Sequence, residues 1–166
     1  MSKSITVKPL IEGKLTDSTA SDTFEVINPA NGKLLFSIPV GSEEDVDRAV
    51  ASARAAFDDG RWRHTPPSSR KKILHRFADL IEAEAATLDA LDAEEMGKPI
   101  SVGFCNSATA AGLMRFYAEA LDKLNSDVFN SDRNSFVTQR HVPMGVVGAI
   151  VPWNFPAYCV VLKCAP

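Results

Sequence analysis

Cysteine is scarce in this sequence, and so is an excess of charge of either sign. Three cysteines, Cys105, Cys159 and Cys164, stand among 166 residues. They are too few and too irregularly spaced for a disulfide framework, which points to a reducing compartment, the cytoplasm. Eighteen Lys and Arg against 21 Asp and Glu leave a formal net charge of −3. That balance argues against a nucleic-acid or anionic-membrane surface. No apolar run reaches the roughly 18 residues of a membrane span, and the first nine residues lack the apolar core of a signal peptide. The phosphate-loop patterns G-x-G-x-x-G and G-x-x-x-x-G-K-[ST] are both missing. His64, His75 and His141 are scattered over a loop, a helix and a strand, so no metal centre is expected.

What is present is ordinary for one globular domain: 45% hydrophobic and 23% charged residues. The first forty residues read as β-structure. Pro9–Leu15 suggests a short strand with a Gly turn. Phe24–Ile27 and Leu34–Ile38 flank Asn28-Pro29-Ala30-Asn31-Gly32, a hairpin signal. Ser42 then opens a helix, with Asp45 as the capping-box acid and Asp59-Gly60 as the stop. Val46, Ala49, Val50, Ala53 and Phe57 give it an apolar face. A second helical region starts at Pro67, carries Ile73, Leu74, Phe77, Leu80 and Ile81 inward, breaks near Thr87 and stops at Gly97-Lys98-Pro99. A third helix is expected over roughly Val102–Leu124, burying Ala110, Leu113, Phe116, Tyr117, Ala120 and Leu124. Phe136–Val142 alternates and reads as a half-exposed strand. No internal repeat is found.

The most informative stretch is Gly145–Pro156. Gly145–Val151 is apolar without alternation and reads as a strand buried on both faces. Gly145 and Gly148 suggest close backbone packing there. The strand ends in Pro152-Trp153-Asn154-Phe155-Pro156, and Pro156–Pro166 starts a helix. Ligands of parallel sheets bind beyond the carboxyl ends of strands, and Asn154 offers a neutral amide donor suited to an oxyanion. The cysteines read as small buried hydrophobes rather than nucleophiles. Lys163 reads as a lysine whose stem packs while its amine reaches solvent.

Pro143–Pro156, followed by Lys163-Cys164-Ala165-Pro166, resembles the NAD(P)-dependent aldehyde dehydrogenase superfamily. Asn28–Gly32, Met96-Gly97-Lys98-Pro99 and Phe116-Tyr117-Ala118-Glu119 extend the resemblance from about Ile11 onward. It implies an α/β fold, the N-terminal part of a Rossmann-like cofactor domain with an oligomerisation strand segment. Residues 1–124 would belong to the cofactor domain, 125–143 to the oligomerisation sheet, and 144–166 to the start of the Rossmann-like sheet.

The resemblance also implies a reaction: oxidation of an aldehyde to a carboxylate with NAD or NADP, by a homo-oligomer. Asn154 would donate to the oxyanion and Lys163 would serve a proton relay. Ile150, Val151, Pro152 and Trp153 would line the cofactor site. Phe155, Tyr158, Cys159 and Leu162 would border the substrate tunnel. The family's nucleophilic cysteine, base glutamate and glycine-rich turn match nothing within these 166 residues. An N-terminal fragment, inactive by itself, is therefore expected. The alternative reading is a non-catalytic interaction fragment that pairs with full-length subunits through Phe136–Val142.

Overall fold

A computed structural model describes residues 7–166. The reading of the first nine residues falls mostly on 1–6, outside the described range. Two antiparallel ribbons come first. The small one pairs Leu10–Ile11 (β1) with Lys14–Leu15 (β2). Its turn residues Glu12 and Gly13 take φ of 54° and 72°, as a tight two-residue hairpin requires. The larger pairs Thr23–Ile27 (β3) with Leu34–Pro39 (β4), in register Phe24↔Ile38 and Val26↔Phe36. Its connection is the expected one: the Asn28 side chain accepts from Ala30 N–H at 2.9 Å, and Gly32 N–H closes on the Asn28 carbonyl at 2.8 Å.

Helix α1 (Glu43–Asp58) begins at Ser42. The Ser42 hydroxyl accepts from Asp45 N–H at 3.1 Å, and the Asp45 carboxylate accepts from Ser42 N–H at 3.1 Å. This is the capping box read from the sequence. Asp45 further receives Ser18 and Thr19, so the same carboxylate ties the chain before β3 to the helix start. Pro67 opens α2 (Pro67–Ala83), and α3 (Ala85–Met96) follows after a break at Glu84. Gly97 ends α3 in the left-handed region, φ 76°.

The core is a packing of α2, α4 (Ser107–Ala120) and α5 (Pro156–Cys164). Leu74, Ala78 and Ile81 meet Ala110, Ala111, Met114 and Ala118, with Val161 and Ala165 closing one end. The alanines let the helix backbones approach closely around Met114, which is fully buried. Polar bridges lie along the rim of the α2–α4 contact. Arg115 donates to Asp79 and Glu82 at 2.8 Å and 2.5 Å, and Lys71 donates to Glu119 at 2.6 Å.

Several expectations are corrected. The third helix is shorter than Val102–Leu124. Asn106 is its N-cap, accepting from Thr109 N–H at 3.0 Å, and the preceding Cys105 has φ 52°, which no helix continues through. Its buried face is Ala110, Ala111, Met114 and Ala118, whereas Phe116 and Leu124 are exposed. Val46 and Val50 on α1, and Ile73, Phe77 and Leu80 on α2, are exposed as well. One core of this size covers one stripe of each helix and leaves the wider apolar faces uncovered. The Phe136–Val142 strand is Val137–Gln139 (β6), paired antiparallel with Asp127–Phe129 (β5).

The largest correction concerns Gly145–Val151. It is neither a strand nor buried; Ile150 is 99% exposed. A strand of a parallel sheet exists only by pairing with its neighbours, and none among the described residues lies beside this one. A Cβ added at Gly148 would accordingly meet nothing within 4 Å, contrary to the close approach expected there.

Candidate functional site

The candidate site is the start of α5 and the turn before it. Pro152 and Pro156 bracket three residues and limit their backbone freedom. Pro156 occupies the first turn of α5, and Phe155 precedes it at φ −148°, ψ 60° with no side-chain cap. Phe155 is fixed from outside: Phe104 meets it edge to face at 5.6 Å between ring centroids. That contact anchors the turn to the loop before α4.

Asn154 is half-buried, and its amide makes no hydrogen bond among the described residues. A side-chain N–H held between two prolines and left unengaged is a donor available to a ligand. Ile150 and Trp153 are exposed, the latter at 78%, and Pro152 is exposed beside half-buried Val151. The four therefore present an apolar wall. Trp153 and Pro156 also border a cavity of about 430 Å³ floored by Phe24, Val26, Ile38 and Met96.

Along α5, Phe155, Cys159 and Leu162 recur at helical spacing and are half-buried. Tyr158 packs against the core. Lys163 is exposed, in keeping with the snorkelling reading. The structure thus brings together all ten residues singled out in the sequence, on one turn and the helix after it. Cys105 is buried, and burial together with the neighbouring Cys159 pushes its thiol up, against a smaller opposing pull from Lys98. A thiol so placed is a poor nucleophile. No group of three or more His, Cys, Asp or Glu among the described residues is placed to hold a metal ion. No helix among them is long and apolar enough to cross a membrane.

One cluster beside the site escaped residue-by-residue reading. Lys98, almost wholly buried, donates to Asp92 and to the Cys105 carbonyl, both at 3.4 Å. It holds the strained Cys105 loop, and through Phe104 it supports Phe155. Glu95, one turn from Asp92, has its carboxyl raised by partial desolvation and by the Asp92 charge. Periodicity carries no signal for such a cluster, because its members come from a helix, a stop and a loop.

A family model described as "Aldehyde dehydrogenase family" matches residues 15–166. An aldehyde dehydrogenase of Enchytraeus buchholzi is 40% identical over 161 residues, covering 96% of this chain and 32% of that protein. The NADP/NAD-dependent aldehyde dehydrogenase PuuC of Escherichia coli is 36% identical, covering 100% of this chain and 34% of that protein. Among solved structures, an indole-3-acetaldehyde dehydrogenase in apo form superposes with TM-score 0.91 at 37% identity, over 98% of this chain and 38% of that one. A mutant of P. syringae AldA, an indole-3-acetaldehyde dehydrogenase in complex with NAD+ and IAA, gives 0.88 at 38% identity, over 94% and 32%. The chain spans about a third of the length of the curated relatives it matches.

Proposed function

Because the chain belongs to the aldehyde dehydrogenase family, we propose that it forms the N-terminal part of an enzyme that oxidises an aldehyde to a carboxylate. The observation that carries this reading is Asn154, an unengaged amide donor on a turn that Pro152, Pro156 and Phe104 hold in place. Its N–H donates to the oxygen of the aldehyde as negative charge gathers there. A fixed donor of this kind lowers the barrier without reorganising. Phe155, Tyr158, Cys159 and Leu162 border the aldehyde's path along one side of α5. Lys163, at the solvent end of that helix, moves protons between the site and water.

The residues present fit one wall of a dinucleotide site. Ile150, Val151, Pro152 and Trp153 offer an apolar surface. Ile150, Val151, Pro152 and Trp153 would hold one side of NAD or NADP, which would supply the hydride-accepting chemistry there. The family relatives include a complex with NAD+. Cys105, Cys159 and Cys164 are not the nucleophile; that cysteine and the water-activating glutamate belong to parts of the family fold that these residues do not cover. Residues 1–124, 125–143 and 144–166 serve as cofactor domain, oligomerisation segment and start of the Rossmann-like sheet. The working form is a homo-oligomer in the cytoplasm.

Two measurements test the reading. The 166-residue chain, incubated with an aldehyde and NAD+, produces no NADH above a buffer blank; cofactor-dependent turnover would overturn the assignment of the nucleophile. In an enzyme containing this segment, Asn154→Ala lowers kcat by about 10²–10³-fold, the usual loss for one oxyanion donor.

A second reading keeps one observation of its own. The β5–β6 ribbon is exposed on all its residues, with Phe136 exposed beside it. Such an open ribbon suits pairing with a full-length subunit by strand addition. Co-purification of the chain with a full-length paralogue tests it, and a monodisperse monomer in the presence of that paralogue counts against it.

A further inference from the structure

A lysine is seldom buried, because its charge must then be paired inside the protein. Lys98 is such a lysine. Its side chain is 7% exposed and that of its partner Asp92 is 8% exposed. It follows Gly97, whose left-handed backbone ends α3. Its Nζ donates to Asp92 Oδ2 and to the Cys105 carbonyl, each over 3.4 Å. A buried ion pair adds little to net stability, and an apolar pair of similar volume often serves folding as well. An apolar pair cannot, however, donate a hydrogen bond to a chosen carbonyl.

That carbonyl belongs to a strained residue. Cys105 has φ 52°, a conformation that persists only where its surroundings over-determine it. Two grips from α3 and its end supply the constraint. Lys98 holds the Cys105 carbonyl, and Asp89 accepts from the Ser107 N–H at 2.9 Å and the Ser107 hydroxyl at 2.8 Å. On the other side of Cys105 stands Phe104, which is 68% exposed. A ring left this open contributes little to a core. Its aromatic partner is Phe155, with ring planes at 89°. The Phe155 carbonyl in turn accepts from Cys159 N–H at 2.9 Å, within α5. Asn154 is the next residue back along the chain. A line of contacts thus runs from α3, through a buried lysine and a strained loop, to the Asn154 turn.

We propose that Lys98 is a positioning residue for that turn. By fixing the Cys105 loop it keeps Phe104 against Phe155 and so holds the Asn154 amide in one orientation. The effect on catalysis rests on the reading of Asn154 as oxyanion donor, whereas the positioning itself does not.

The 166-residue chain carrying Trp62→Phe keeps Trp153, inside the turn, as its only tryptophan. Time-resolved fluorescence anisotropy separates fast motion of that ring from tumbling of the whole molecule. Lys98→Met combined with Asp92→Leu removes the tether and leaves no unpaired charge, so the far-ultraviolet circular dichroism of the parent should be kept. Phe104→Ala cuts the other end of the line at an exposed position, and it tests the proposal even where the paired variant misfolds. Both are expected to raise the amplitude of fast Trp153 motion about twofold or more. Phe116→Ala, on the exposed face of α4, should leave it unchanged. In an enzyme containing this segment, Phe104→Ala should lower kcat about tenfold, because small misplacements of a reacting group are costly. KM for NAD+ should not change, and Phe104→Ala should add no further loss to Asn154→Ala. Unchanged Trp153 motion in Phe104→Ala, or in a folded paired variant, would overturn the proposal. A further loss of kcat on top of Asn154→Ala would overturn it too. Raised Trp153 motion with an unaltered kcat in Asn154→Ala would instead overturn the oxyanion reading and leave the positioning standing.

Discussion

Asp45 shows how much one side chain does in this fold. The Ser18 hydroxyl donates to it at 2.5 Å, followed by the N–H groups of Ser42 at 3.1 Å and Thr19 at 3.2 Å. These donors, Ser18 foremost, hold its carboxyl down at about 2, against an ordinary value near 4. The folded pKa lies below the unfolded one, so the stabilisation is present above about pH 4 and is lost as pH falls towards 2. Thermal melts should therefore show Tm falling between pH 4 and pH 2. In Asp45→Asn that part of the fall should shrink, with a lower Tm at neutral pH. Gly97 is constrained differently. It has φ +76°, and an added Cβ would stand 3.1 Å from Pro29 Cγ. Gly97→Ala is expected to cost about 1 kcal/mol or more in urea unfolding, because Ala loses both the conformation and the space.

Local chemistry made these positions legible in the sequence. Ser42 with Asp45, the Asn28–Gly32 connection and the Gly97 stop are each set by neighbours within a few residues, and each formed as read.

Among the elements, α4 holds the core together. Met114 is fully buried between α2 and α5. Met114→Ala should destabilise the chain by roughly 2–5 kcal/mol, the range for emptying a well-packed site. Phe116→Ala, on the exposed face, should cost little. If the two losses were equal, the packing described for α4 would be wrong. Helical periodicity could not have separated these faces. Phe116 and Leu124 are as apolar as Met114, and the choice between them is made by what lies opposite. The same limit explains α1, whose apolar stripe was read correctly as a pattern and is nonetheless exposed. It explains the length of α4 too: the Cys105 kink and the Lys98 donor that holds it come from tertiary contacts.

For the whole molecule, the decisive element is Gly145–Val151. Its composition reads as a doubly buried strand, yet burial of such a strand is a property of the sheet around it. Here Val147 and Ile150 face solvent, as do Val46, Val50, Ile73 and Phe77. Exposed apolar surface on this scale drives association. Sedimentation of the chain should show apparent mass rising with concentration, and Val147→Lys with Ile150→Lys should reduce that rise. A soluble monomer with a sharp, cooperative melt would contradict it. The Pro152–Pro156 turn and the helix after it were more legible than the segment before them. Short rigid motifs such as Pro152–Pro156 carry their own geometry, while the sheet that the motif terminates does not.

The central claim is that Asn154 supplies the oxyanion donor. It is tested most directly by aldehyde-dependent NADH formation in an enzyme carrying this segment, compared with its Asn154→Ala variant. The account predicts a kcat lower by about 10²–10³-fold, with the affinity for NAD+ unchanged. An unaltered kcat, or a loss confined to NAD+ affinity, would contradict it.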